Sequence, residues 1–431
     1  MEENKQNQDI DFMKEKVKER PLSRKKLIRR TIITASMAVI FGLIACITFL
    51  VLEPVFANLL YPEEEPQQVE LKEEDIDEEM LPADMILEEE TEEETPTTVT
   101  QTVVEKVELE LSDYQRLYRI MYALVQDISK SMVTVTGVVT DMDWFDNTYE
   151  NEGQAAGLIV AQNGKELLIL TNWKVVDGAD SVEVTFSDQA VHTAQMKGHD
   201  EDTGLAIVSV LLNELSESTK KAAKTATLGS SNSSVLASPV IAMGRPLGTS
   251  TSVVYGMVTS ADTYENLADH NVKVLTTDMT GSTNGTGILI NLSGQVVGIL
   301  KPDSKSGKDS TKLLSAYGIT DLRRLIEKLS NGQEIAHMGI RGTDVPADVT
   351  ESKGVPRGAY VTGIEMDSPA MEAGIQSGDV LVRIGTTEIS SFGEYQDVMM
   401  NLAPDTAITV TVMRQGVGEY REMTMDVILS R

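Results

Sequence analysis

With 431 residues the chain is long enough for two or three domains, each burying its own core. Its 67 acidic residues outnumber 37 basic ones, for a formal charge of −30, and no folded stretch carries a basic stripe, so nucleic-acid binding is excluded as a reading. The single cysteine, Cys46, falls in an apolar N-terminal segment, which leaves the rest of the chain without a thiol, a disulfide or a cysteine-based metal site.

Residues 1–30 are polar and end in "RPLSRKKLIRR", six Arg or Lys between Arg20 and Arg30. Residues 31–52, "TIITASMAVIFGLIACITFLVL", follow as 22 uncharged, mostly apolar residues, enough to span a hydrocarbon core of about 30 Å. The basic flank predicts a cytoplasmic N-terminus, with everything after residue 53 on the outer side. A cleaved signal peptide is the competing reading. Its apolar core usually runs about 7–15 residues, and "VFA" at Val55–Ala57 is a weak cleavage site, so an uncleaved anchor is expected.

Residues 61–95 hold 17 acidic residues against one Lys. Such a run repels itself and cannot bury apolar surface, which predicts a solvated, disordered linker over 53–111. A helix is expected from Ser112, capped by Ser112 and Gln115, with Tyr114, Leu117, Met121, Leu124 and Ile128 on one apolar face. From Met132 the pattern turns to short apolar or alternating runs: "MVTVTGVV", "AAGLIVAQNGKELLILTN", "SVEVTF", "TGLAIVSVLL", "SPVIAMG" and "STSVVYGMVTSA". Their spacing and Gly, Asn and Asp turns fit a β-barrel or sandwich, with "QNG" as a hairpin turn. "TDLRRLIEKL" from Thr320 reads as a closing helix capped by Thr320 and stopped near Gly332.

A separate unit of mixed pattern occupies 333–431, with strands, a short helix in "SPAMEAGI", a polar-faced helix around Glu394–Leu402, and the alternating strands "AITVTVMR" and "YREMTMDVIL".

Five segments in order carry a resemblance. "TNWKVVDGAD", "DEDTGLAIVSV", "SPVIAMGRPLG", "NGTGILINLSGQVVGI" and "SPAMEAGIQSGDVLVRI" resemble stretches of the HtrA (DegP/DegS-like) serine proteases over about residues 120–431. The resemblance implies a mainly β fold: an N-terminal transmembrane helix, a chymotrypsin-like double β-barrel over 112–332, and a PDZ domain (α+β) over 333–431. No cofactor and no metal is implied.

A Ser-His-Asp triad needs a hydroxyl nucleophile, an imidazole base and an orienting carboxylate. Where the family has His, this chain has Lys174, an ammonium with no lone pair to accept a proton at neutral pH. The Asp position holds Gly204 and the Ser position Gly285. His192, His199, His270 and His337 lie outside the base motif and are expected as surface or turn imidazoles. The loop is one residue shorter than the family's, so counting from its other end places Thr286 in the nucleophile slot, with Ser282 and Thr283 close by. A dyad with Lys174 would require that ammonium to lose its proton through desolvation. Gly281, Gly285 and Gly287 are expected to leave the turn flexible, which weakens any oxyanion hole.

The resemblance implies that "HMGI", His337–Ile340, is the loop that holds a peptide's terminal carboxylate, with Gly339 allowing close approach and Met338 and Ile340 walling the pocket. "GRPLGTSTSVVYGMV" would line a peptide groove on the barrels. The expectation is a membrane-anchored pseudoprotease of the bacterial cell envelope. It would bind C-terminal peptides or unfolded exported proteins as a sensor, scaffold or regulator in protein quality control. A homotrimer or a hetero-oligomer with an active paralogue is the implied assembly. The alternative is an active anchored endopeptidase with a non-standard nucleophile and base.

Overall fold

The strand "ELLILTN" shows how the fold is built. All seven residues of Glu166–Asn172 are buried, yet alternate side chains enter two different cores. Leu167 and Ile169 join one cluster with Val133, Val135, Ile159 and Val208. Leu168 and Leu170 join another with Leu158, Ile207, Ile241, Met243 and Ile288. Side chains alternate faces along a strand, so a run that is buried at every position, with the apolar Leu167–Leu170 at its centre, has to sit between two bodies.

Those bodies are two closed six-stranded antiparallel barrels. The first comprises β1 (Met132–Met142), β2 (Thr148–Gln162), β3 (Glu166–Asn172), β4 (Ser181–Thr185), β5 (Val191–Asp200) and β6 (Leu205–Leu211), closed in the order β1-β2-β3-β6-β5-β4. The "QNG" turn joins β2 to β3, with Gly164 at φ 85°. The second comprises β7 (Pro239–Arg245), β8 (Ser252–Leu267), β9 (His270–Ser282), β10 (Thr286–Ile290), β11 (Val296–Leu300) and β12 (Thr311–Gly318), in the order β10-β11-β12-β9-β8-β7. Strand β7 repeats the two-faced pattern. Val240 and Ala242 fill the second barrel, while Ile241 and Met243 face the core shared between barrels.

A five-strand antiparallel path completes the chain: β13 (Ile340–Asp344), β14 (Ala359–Ile364), β15 (Val380–Ile384), β17 (Ala407–Gln415) and β18 (Tyr420–Ile428), with the short β16 (Thr387–Glu388) on β15. It has its own core around Phe392 and Tyr395. Among the described residues the helices of eight residues or more are α1 (Leu111–Ile128), α2 (Ile319–Ser330) and α3 (Phe392–Met399).

This computed structural model describes residues 37, 66–71, 110–142, 148–232, 234, 236–248, 251–301 and 311–431. The expected membrane segment 31–52, apart from Met37, and most of the expected linker lie outside the described residues. Among the described residues no helix is long and apolar enough to cross a membrane. The described fold belongs to one compact unit, Pro66–Arg431.

Four local expectations need correction. Part of the expected linker is docked: Val69 is buried and exchanges hydrogen bonds with the Asn331 side chain at 3.0 and 3.1 Å. The acidic density lapses at "PQQVEL", and Val69 and Leu71 meet the shared core there. Helix α1 begins at Leu111, so its reciprocal cap is Glu110 with Asp113, not Ser112 with Gln115. Only the C-terminal half of its apolar face is covered: Val125 and Ile128 are buried, while Tyr114 and Leu117 stay exposed. Helix α2 starts after Gly318, which puts Thr320 inside the first turn, where its hydroxyl accepts from the Ser231 N–H at 3.0 Å.

Candidate functional site

The junction between the barrels holds a small cavity of about 20 Å3, room for about one water, lined by Ala156, Leu170, Asn172, Thr286 and Gly287 among others. Of the positions expected to carry chemistry Thr286 lines it, and Lys174, Gly204 and Gly285 lie within two residues of its lining residues Asn172, Leu205 and Thr286.

Lys174 sits in the helical turn Trp173–Val176. Its backbone N–H is capped by the Asn172 side chain at 2.9 Å, and its side chain is exposed. Gly204 closes a turn at φ 70°, in which the Asp200 carboxylate accepts from the Thr203 N–H at 2.9 Å. The Gly204 carbonyl accepts from the Trp173 N–H at 2.8 Å. These two segments are thus tied together through backbone.

The glycine-rich turn corrects an expectation. Gly281, Gly285 and Gly287 are not slack but tightly enclosed. A Cβ on Gly285 would lie 2.5 Å from the Pro246 carbonyl oxygen and 2.9 Å from that of Ser282. One on Gly281 would lie 2.6 Å from Pro246 O, and one on Gly287 2.0 Å from Met243 O. The Ser282 N–H donates to Pro246 O at 2.9 Å, and the Gly285 N–H donates to Ser282 O at 3.0 Å. A backbone donor engaged within its own turn is not aimed at a substrate oxyanion.

The alternative nucleophiles have structural roles. The Thr286 hydroxyl accepts from the Ala156 N–H at 2.9 Å, joining β10 to β2 across the barrel junction. Ser282 is buried, and its hydroxyl accepts from the Asn284 N–H at 3.0 Å, capping the turn; Thr283 is buried beside it. The groove segment's Pro246 is engaged in the same bonding.

Of the histidines, His192 lies edge-on to Phe186 and His199 stacks on Trp173 with ring centroids 3.7 Å apart. The other two are not surface imidazoles. Burial holds His270 below its ordinary pKa. His337 lies half-buried between two carboxylates, Asp269 at 3.2 Å from Nδ1 and Glu365 at 3.3 Å from Nε2.

The second candidate site is built around that histidine. The backbone N–H groups of Met338, Gly339 and Ile340 converge on one carboxylate, that of Asp269, at 2.6, 2.8 and 2.9 Å. The Tyr395 hydroxyl, on α3, also donates to it. Burial pushes the Asp269 pKa up, but the His337 hydrogen bond and charge and the Gly339 N–H outweigh it, holding this carboxyl below its usual range. Met338 and Ile340 do not wall a pocket. Their side chains belong to the core of the C-terminal sheet, and only their N–H groups face the carboxylate. Gly339 is required twice, by φ 85° and because a Cβ would lie 2.3 Å from Ser368 Cβ. Asp269 and Tyr395 were not expected from sequence. "LADHN" reads only as a polar hairpin tip, and nothing local signals a partner 70 residues away at Gly339.

Fold and loops together define a trypsin-like double-barrel peptidase fold followed by a PDZ domain. Residues 155–299 match the trypsin-like peptidase domain family, and residues 336–427 match the PDZ domain family. The chain is 30% identical over 325 residues to Serine protease Do-like HtrB of Bacillus subtilis (strain 168), covering 68% of each protein. It is 27% identical over 299 residues to Serine protease Do-like HtrA of Lactococcus lactis subsp. lactis (strain IL1403), covering 64% of this chain and 71% of that one. The chain belongs to the HtrA family of serine proteases. Among solved structures, "HtrA-type protease AlgW with decapeptide" shares the fold with a TM-score of 0.50 at 21% identity, covering 72% of this chain and 98% of that one.

Proposed function

We propose that this HtrA-family chain is a pseudoprotease that binds peptides without cutting them. One observation carries the reading: the nucleophile position is a glycine whose surroundings leave no space for a Cβ, 2.5 Å from Pro246 O. Lys174 and Gly204 at the base and acid positions, and Thr286 engaged with the Ala156 N–H, support it. The PDZ loop supplies a working anion site, three backbone N–H groups convergent on one carboxylate, which is the chemistry that receives a peptide C-terminus. AlgW was solved with a decapeptide, and C-terminal peptides or unfolded exported proteins are the ligands proposed for this chain.

In the same proposal residues 31–52 anchor the protein in the cell membrane in a single pass, N-terminus cytoplasmic, with the folded domains outside. The role is that of a sensor, scaffold or regulator in envelope quality control. The exposed Tyr114, Leu117, Tyr118 and Tyr122 of α1 favour an oligomeric assembly, as a homotrimer or with an active paralogue.

The test is incubation of the purified protein with unfolded casein and with a fluorophosphonate probe. No cleavage and no labelling is the expected result. Casein cleavage abolished by Thr286→Ala, Ser282→Ala or Lys174→Ala would establish instead an active endopeptidase with a non-standard nucleophile.

A further inference from the structure

The PDZ carboxylate loop already holds a carboxylate, and it belongs to the same chain. Asp269 stands at the tip of the β8–β9 hairpin of the second barrel, in a left-handed conformation at φ 55°. Its side chain is held by the N–H groups of Met338, Gly339 and Ile340, and its own backbone N–H donates to the Ile340 carbonyl at 2.7 Å. A peptide added to a sheet edge by its C-terminus makes the same two kinds of bond: carboxylate to loop amides, and backbone N–H to the edge strand. One residue of the barrel supplies both.

Beyond the carboxylate the contact continues along β13, with the opposite chain sense to a docked C-terminus. Asn271 Nδ2 donates to the Gly342 carbonyl on β13 at 3.1 Å, and Gln396 Nε2 on α3 donates to the Asn271 carbonyl at 3.4 Å. The segment Asp269–Asn271 therefore lies between β13 and α3. It runs in the same direction as β13, since Asp269 meets Ile340 and Asn271 meets Gly342.

We propose that Asp269 is a tethered ligand of the PDZ domain, which an incoming peptide carboxylate must displace before it can bind. The proposal rests on the peptide-binding reading above and adds its regulation. A tethered competitor acts at an effective concentration set by its linkage, on the order of millimolar or more for a short connection. The apparent affinity for an external peptide falls by the fraction of molecules in which the loop is open. The protein thus exists in a closed state, with the hairpin seated, and an open state that accepts peptide. Ligands with the strongest carboxylate and side-chain contacts are selected.

The experiment uses the full chain and two variants. Asp269→Asn keeps the shape and tolerates the left-handed backbone but removes the charge. Tyr395→Phe keeps the PDZ core and removes one donor to Asp269. Hydrogen exchange of the 338–340 amides reports the latch, with the β10 amides as the check that the barrels stay folded. Capture of a decapeptide pool with the last four positions randomised and a free carboxylate reports binding, against the same pool amidated. The expected result is at least tenfold faster exchange at 338–340 and at least tenfold more acid-pool capture for D269N, a smaller change of the same sign for Y395F, and no change with the amidated pool. Unchanged exchange at 338–340, or measurable acid-pool capture that is equal for the parent and D269N, overturns the latch. If D269N loses the β10 protection, the Y395F pair of measurements decides in its place. Faster exchange with no acid-pool capture by any form overturns the peptide-binding reading and displacement with it, while showing that Asp269 holds the loop.

Discussion

Serine placed at position 285 probes the pseudoprotease reading most directly. The substituted Cβ would lie 2.5 Å from Pro246 O, 2.9 Å from Ser282 O and 3.2 Å from Pro246 C. All three are backbone atoms, so no side-chain rotation relieves the overlap. Relief requires the 245–248 turn and the 282–285 turn to separate. That stretches the bonds Ser282 N–H to Pro246 O and Gly285 N–H to Ser282 O, now 2.9 and 3.0 Å. Overpacking of this kind costs about 1–3 kcal/mol, and a buried hydrogen bond left unmade costs about as much again. A total of about 2–6 kcal/mol lowers the melting temperature of a domain this size by roughly 2–4 °C per kcal/mol. Gly285→Ala meets the same overlap, so both variants should melt lower by a similar amount in scanning fluorimetry. The triple variant K174H/G204D/G285S, assayed on casein, should stay inactive because the turn is displaced. A G285S melting within about 1 °C of the parent, or casein cleavage by the triple variant, refutes the packing reasoning.

Thr286→Val removes the acceptor for the Ala156 N–H at the barrel junction and should lower stability by about 1–3 kcal/mol, with Thr286→Ser largely restoring it in denaturant melts. The PDZ–barrel contact should loosen as pH rises. The Asp269 hydrogen bond and the charges of Asp269, Glu365 and Asp202 hold the His337 pKa above its ordinary value, against burial. This ion pairing is therefore complete below about pH 6.5 and is lost as pH rises through the higher folded value. Burial, then the charges of Asp200 and Glu365, push Asp202 up to about 6; its own cost therefore builds up at lower pH, between its unfolded value and about 6, and the change above about pH 6.5 belongs to His337. Arg341 pairs with Glu365 and stays charged throughout. Exchange at 338–340, corrected for its intrinsic rate, should rise as pH climbs above about 6.5 and flatten in His337→Gln; a fall would refute the assignment. Arg414→Ala strips both guanidinium bonds, each 2.7 Å, from the buried Asp379. It should cost the PDZ domain about 3–5 kcal/mol, read as faster exchange over β15 and β17 with the barrels unchanged.

The elements were legible where local chemistry decides them. "ELLILTN" and "SPVIAMG" read as strands from their apolar runs and flanking turns, and "TDLRRLIEKL" as a helix from its spacing. Their boundaries moved where a cap is chosen by three-dimensional fit, as at Glu110 and Gly318. Linker composition hid the docking of Val69, because one apolar residue in an acidic tract gains stability only from a core formed by distant strands. Periodicity cannot say which two cores a fully apolar strand divides, because both faces look alike in one dimension.

The order of residues is enough to say which groups the chain has at each position: a lysine at 174, glycines at 204 and 285, and the run "HMGI" at 337–340. What those groups meet depends on the folded chain. Folding closes the turn so tightly on Pro246 that Gly285 admits no side chain, and it turns Thr286 into a bond between barrels. It also brings the Asp269 carboxylate into a loop centred 70 residues away. Hydrogen bonds and van der Waals exclusion act over a few ångströms, and only the closed barrels bring these atoms within that range.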